Sequence, residues 1–110
     1  MSGSDLFTGT LDLLILKAVS WGPRHGYAIA RWIRETTSDV LVAQEGVLYP
    51  ALHRLQNRGL LDEEWGRTDT GRQAKLYTLT RAGRAHLRME AERWSEYSSA
   101  VARALALSGS

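Results

Sequence analysis

Residues with catalytic or ligating chemistry are few and scattered in this chain of 110 residues. The three histidines, His25, His53 and His86, fall in three separate segments without the i, i+4 spacing that lets two imidazoles share one metal. Glu63 and Glu64 are adjacent in a strand-like segment, where neighbours point to opposite faces, so they do not line one acid–base site. There is no glycine-rich phosphate loop and no nucleophile elbow. The absence of cysteine removes disulfides, thiolate metal sites and thiol nucleophiles. An enzyme is therefore not expected, nor a cofactor or a metal.

What remains suits a polyanion. A helical segment from about Gly46 to Arg58 carries Leu48, Leu52 and Leu55 on one face. At 100° per residue its opposite face presents Gly46, Pro50, His53 and Asn57, flanked by Tyr49 and Arg54. Arginine can grip two acceptors of guanine, and asparagine can pair with adenine. Tyrosine hydroxyls and backbone amides near a helix start suit phosphates, and Gly46 lets the main chain approach closely. Further on, Arg67 and Arg72 sit in a Gly-bounded loop able to follow a backbone or reach a minor groove. The plain alternative for each residue alone is an ordinary polar surface.

The elements that would position these groups follow from periodicity. Leu11, Leu14, Ile15, Ala18 and Val19 form one apolar stripe of a first helix, with Thr8 or Thr10 as its cap and Gly22-Pro23 as its end. A second helix spans about His25 to Thr37, burying Ile29, Trp32 and Ile33, with Tyr27 ambiguous between its faces. Ser38 to Val42 reads as a connector or a short strand. Gly59 is a natural left-handed stop for the third helix, and Pro50 requires that helix to begin near residue 46 or 47. Leu60–Trp65 and Lys75–Thr80 read as a hairpin around a mobile loop over residues 66–73. After Thr80, a plausible N-cap, a helix of about 25 residues (roughly 37 Å) carries Leu87, Ala91, Trp94, Ser98, Val101 and Leu105 at steps of four and three. Only part of that length can rest on so small a body, and a symmetric second subunit is the simplest cover for the rest, the alternative being that the helix folds back on its own domain. The order is three helices, a hairpin with a basic tip, and a long helix: mainly α with a small β-hairpin, a winged helix-turn-helix over residues 5–80 followed by a dimerisation helix over 81–107.

Charge agrees with that layout. The net charge is only +2, but residues 54–88 hold eight basic and four acidic side chains while residues 1–53 hold four and five. Positive charge thus concentrates in one segment, the footprint expected for a nucleic-acid partner. The longest apolar run, Leu13 to Leu16, is far too short to cross a bilayer, no charged segment of a signal peptide precedes it, and the lack of cysteine fits a cytoplasmic protein. Residues 1–4 and 108–110 read as frayed ends or added residues.

The run from Gln44 to Leu55, with its Glu45-Gly46-Val47-Leu48-Tyr49-Pro50-Ala51-Leu52 stretch, followed by Gly59-Leu60-Leu61, resembles the PadR family of transcriptional regulators. Residues 10–16, His25-Gly26-Tyr27, Gly71-Arg72, Lys75-Leu76-Tyr77 and Leu79-Thr80-Arg81-Ala82-Gly83 extend the likeness from Leu6 to about Leu105. Val47 stands where the family often has threonine, and Arg72-Gln73-Ala74-Lys75 is less basic than the usual wing. The resemblance implies a bacterial homodimer that binds double-stranded DNA at a palindromic operator, usually as a repressor, in the compact subgroup with a single C-terminal helix. The DNA contacts it implies, joined to those read above, are Tyr27, Gln44, Gly46, Tyr49, Pro50, His53, Arg54, Arg67, Arg72 and Lys75, with His53 and Arg54 nearest the bases. Leu87, Ala91, Trp94, Ser98, Val101 and Leu105 would form the dimer interface. In some members an aromatic residue at the position of Trp94 stacks on flat aromatic effectors; the simpler role for Trp94 is interface core. A winged-helix module that binds protein rather than DNA is the alternative function.

Overall fold

The computed structural model describes residues 3–107. Helix α1 (Gly3–Ala18) buries Leu11, Ile15, Leu16 and Ala18, with Val19 just beyond it, so the expected stripe faces the core. Thr8 and Thr10 do not mark its start: the helix runs from Gly3 through both, and through Gly9 between them. Gly3 and Ser4, read as frayed, are helical, whereas residues 1–2 and 108–110 lie outside the described residues. At the other end the Arg24 guanidinium donates to the Ala18 carbonyl at 2.7 Å, satisfying an acceptor that α1 itself leaves open.

That arginine begins an element the sequence does not announce. Strand β1 (Arg24–His25) pairs antiparallel with the later strand β3, opposite Tyr77 and Leu76. His25 keeps an extended backbone as N-cap of α2 (Gly26–Thr36), whose Ile29 and Ile33 are fully buried. The following segment is a connector rather than a strand. Ser38 and Asp39 adopt positive φ, Thr37 Oγ1 bonds both the Ile33 carbonyl and the Leu41 amide, and Asp39 accepts from Arg34.

Helix α3 (Glu45–Asn57) starts one residue before the expected onset and buries Leu48, Ala51, Leu52 and Leu55. Pro50 lies in its second turn, where it leaves the exposed Gly46 carbonyl without the usual donor. The helix ends as its sequence requires: Gly59 takes φ +74°, its amide bonds Gln56, and the Leu60 amide reaches back to Leu55.

Strands β2 (Leu61–Arg67) and β3 (Gln73–Leu79) form the hairpin, in register from Leu61 opposite Leu79 to Arg67 opposite Gln73. With β1 they make a three-stranded sheet in the order β1-β3-β2. The strands extend into what the sequence suggests is a mobile loop, leaving a tight turn at Thr68–Arg72. The Thr68 amide bonds the Arg72 carbonyl, the Gly71 amide bonds Thr68, and Arg67 donates to the Gly71 carbonyl. Hydrogen bonds inside the turn thus give a defined shape to a segment with loop-like composition.

Helix α4 (Arg81–Leu105) is capped by Thr80, whose hydroxyl accepts from the Gly83 amide and donates to the Gly59 carbonyl. Gly83 is buried against the Leu60 carbonyl, where a side chain has no room. Leu87 packs on the core, which joins the three helices to Leu60, Leu61 and Tyr77. No helix among the described residues is long and apolar enough to cross a membrane.

Candidate nucleic-acid interface

Burial of its leucine face forces α3 to turn the other side outward. Gly46, Pro50, His53 and Asn57 are all exposed there, as the helical spacing anticipates. Gln44, the N-cap, makes no side-chain cap, so the first amides of α3 open onto the same exposed end. A helix start of this kind carries partial positive charge, opposed here by Glu45. Tyr49 lies on the flank toward α2, its phenol so close to Gly26 that a methyl group there would collide with it. Behind it, Tyr77 is buried, and its phenol pKa is raised first by that burial, then by Glu63 and Tyr49.

Arg54 lies on the other flank. Its guanidinium, itself exposed, meets the Asp12 carboxylate of α1 at 2.5 Å. Of the two residues expected nearest the bases, His53 faces outward and Arg54 is already paired.

The hairpin brings further expected residues together. Arg72 and Gln73 face Tyr27 across a shallow hollow of about 420 Å³ also lined by Thr68 and Thr70. Arg67 braces the turn, and the Lys75 ammonium lies 3.4 Å from Glu63. Two neighbours escape sequence reading. His25 stacks parallel on Tyr27 with ring centroids 5.6 Å apart, and Arg31 lies over the far side of that ring at 5.9 Å. The signal for Arg31 is its i+4 spacing from Tyr27 on α2; the signal for His25 appears only once β1 is known. Since His25 Nδ1 is also 3.2 Å from the Lys75 carbonyl, the stack joins α2 to the wing. Arginine, phenol and imidazole in such an array offer donors and flat surfaces to a sugar–phosphate backbone.

The remaining expected residues lie on α4, away from this face. Leu87 is half-buried on the core, and from there Ala91, Trp94, Ser98, Val101 and Leu105 run along one side of the helix. Trp94, Val101 and Leu105 are 46%, 40% and 76% exposed. Tyr97, which the heptad reading omits, stands 6.2 Å from Trp94. A groove of about 650 Å³ between α1 and α4 is lined by Asp12, Leu13, Leu16, His86, Trp94 and Tyr97 among others.

The sequence profile of the transcriptional regulator PadR-like family matches residues 15–89. An uncharacterised protein of Lysinibacillus sphaericus is 30% identical over 96 residues, spanning 87% of this chain and 88% of that protein. Among solved structures, a transcriptional regulator from Clostridium thermocellum is 27% identical, with a TM-score of 0.80 over 90% of this chain and 96% of its own. A PadR family transcription regulator from Clostridium difficile is 26% identical, with a TM-score of 0.77 over 88% and 99%. A PadR-like transcriptional regulator from Bacillus cereus shares the fold at a TM-score of 0.82, covering 94% and 98% at 24% identity.

Proposed function

The chain belongs to the PadR-like family of transcriptional regulators, DNA-binding proteins rather than enzymes, and from that premise we propose that it is a cytoplasmic repressor which binds a palindromic operator as a homodimer. Residues 5–80 grip the DNA and residues 81–107 pair the subunits. The observation that carries this reading is the outward face of α3, which the core leaves wholly exposed beside a braced, basic hairpin turn.

In this reading α3 enters the major groove, with His53 nearest the bases and Pro50 shaping the face. Arg54 reaches a base or phosphate by exchanging away from Asp12. Gln44, Gly46 and Tyr49 hold the phosphates flanking the groove. Tyr27, Arg67, Arg72 and Lys75 hold the next stretch of backbone, supported by the His25 and Arg31 stack. A two-fold pair of such subunits fits half-sites about one helical turn, ~34 Å, apart. The apolar row on α4 supports pairing, because Trp94, Val101 and Leu105 would otherwise stay in water.

Selecting bound duplexes from a random pool tests the reading: a palindrome supports dimeric, specific binding, and no enrichment with no binding at low salt would return the protein-binding alternative. Replacing Arg72 with alanine should weaken binding to all sequences and lower the salt slope by about one phosphate contact.

A second role draws support from the groove between α1 and α4. Trp94 and Tyr97 give it flat aromatic walls suited to a planar aromatic effector. Such a ligand should quench tryptophan fluorescence in the native chain more than in Trp94→Ala; equal quenching in both removes the effector role from Trp94.

A further inference from the structure

The tryptophans divide by surroundings. Trp21 and Trp32 touch each other at 5.7 Å, with Lys17 over Trp21, and Trp94 has Tyr97. Among the described residues, Trp65 is the tryptophan without a ring partner, and at 68% exposure it is the most open of the four. It lies on β2, whose alternation places it on the face shared by Leu61 and Glu63, directly across from Lys75. That face begins in the core at Leu61, Leu79 and Tyr77 and continues past the body toward the turn. The indole therefore projects on the side of the hairpin that packs against α3 at its base, near the groove-facing helix.

Charge along the hairpin is sharply divided at this residue. Asp62, Glu63 and Glu64 precede it, Lys75 directly opposite it pairs with Glu63, and beyond it stand Arg67 and Arg72 against Asp69 alone. A polyanion is repelled from the base of the hairpin and attracted to its tip, and Trp65 stands at the boundary. The turn beyond it is held by its own hydrogen bonds, and the paired strands present the indole beside the basic tip.

We propose that Trp65 is a DNA-contact residue: its indole lies against the sugar and base edges of the minor groove that receives the wing, while Arg67 and Arg72 neutralise the phosphates on either side. This rests on the reading of the hairpin as a DNA-binding wing. The contact is apolar and sequence-tolerant, since every nucleotide offers a sugar edge to the minor groove. It supplies affinity without displacing counterions, unlike the arginine contacts beside it.

The test compares the full chain with Trp65→Ala, Trp65→Phe and Arg72→Ala on one duplex, across a salt series. Trp65→Ala should weaken binding by about tenfold with the salt slope unchanged, as loss of an apolar contact that releases no counterions requires. Trp65→Phe should recover most of that loss. Arg72→Ala should weaken binding and lower the slope. The duplex should quench native fluorescence, and the quenching should shrink in both Trp65 variants. Because the side chain is exposed, thermal unfolding should be unaltered in each. Native affinity and native quenching in the Trp65 variants overturn the assignment while leaving the wing intact, as does a loss in Trp65→Ala that comes with a lowered salt slope. Failure of the unaltered chain to bind any duplex at low salt overturns the wing reading and this contact with it.

Discussion

The two halves of α4 are one continuous helix with opposite relations to the rest of the chain. At the inner end Thr80 caps the helix and ties it to Gly59, Gly83 lets it press on the Leu60 carbonyl, and Leu87 joins the core. The outer end carries Trp94, Tyr97, Val101 and Leu105, each between 40% and 76% exposed. The inner half is specified by geometry within one chain, where a single added methyl group matters. The outer half keeps the period of an interface, and its partly exposed row suits a second surface.

Breaking the outer half should have the larger functional consequence. Trp94→Asp places a charge on the uncovered row. If that row is the dimer seam, sedimentation should show monomers, and operator affinity should fall about 100-fold or more as bivalent engagement is lost. A dimer persisting in that variant removes the seam from this face. At the inner half the effect should fall on folding instead. Gly83→Ala forces a Cβ into the Leu60 carbonyl and should cost about 2 kcal/mol in denaturant unfolding, near the middle of the range for overpacking. Thr80→Ala removes the cap and the bond to Gly59 and should cost about 1 kcal/mol. Removing the hydroxyl of the exposed Ser99 with Ser99→Ala should stay within about 0.5 kcal/mol, and a larger loss there would erase the contrast between the halves.

The smallest effect concerns Tyr77, on which the inner end ultimately rests through the sheet. Burial, then Glu63 and Tyr49, raise its pKa in the folded state. Below the ordinary phenol value of about 10 both states keep the proton, so the group adds no pH dependence at neutrality. As pH rises past that value the unfolded chain ionises first, and stability falls until the folded phenol follows. Tyr77→Phe should therefore soften the alkaline decline in unfolding free energy, with little change in slope near pH 7.

Sequence reading succeeds where an element announces itself through its own periodicity. The α3 leucines, the Gly59 stop, the Thr80 cap and the α4 row are each local patterns, and each recurs in the structure. Two-residue β1 has no period to read; it forms because β3 offers an edge, a fact settled by residues some fifty positions away. The turn at Thr68–Arg72 has the composition of a flexible loop, but its hydroxyls and amides bond one another. Most of the candidate DNA face was visible as exposed positions on α3, whereas the His25, Tyr27 and Arg31 stack depends on where β1 brings the helix start. The pairing of Arg54 with Asp12 joins residues on two different helices and leaves no local trace.

That pairing has a consequence for discrimination. With a carboxylate resident beside it, the guanidinium on the flank of α3 presents little bare charge to a passing polyelectrolyte. In the proposed contact, only a site whose acceptors match its position well enough to displace Asp12 would gain the bond, so the internal counter-ion would act as a threshold that separates sliding from arrest.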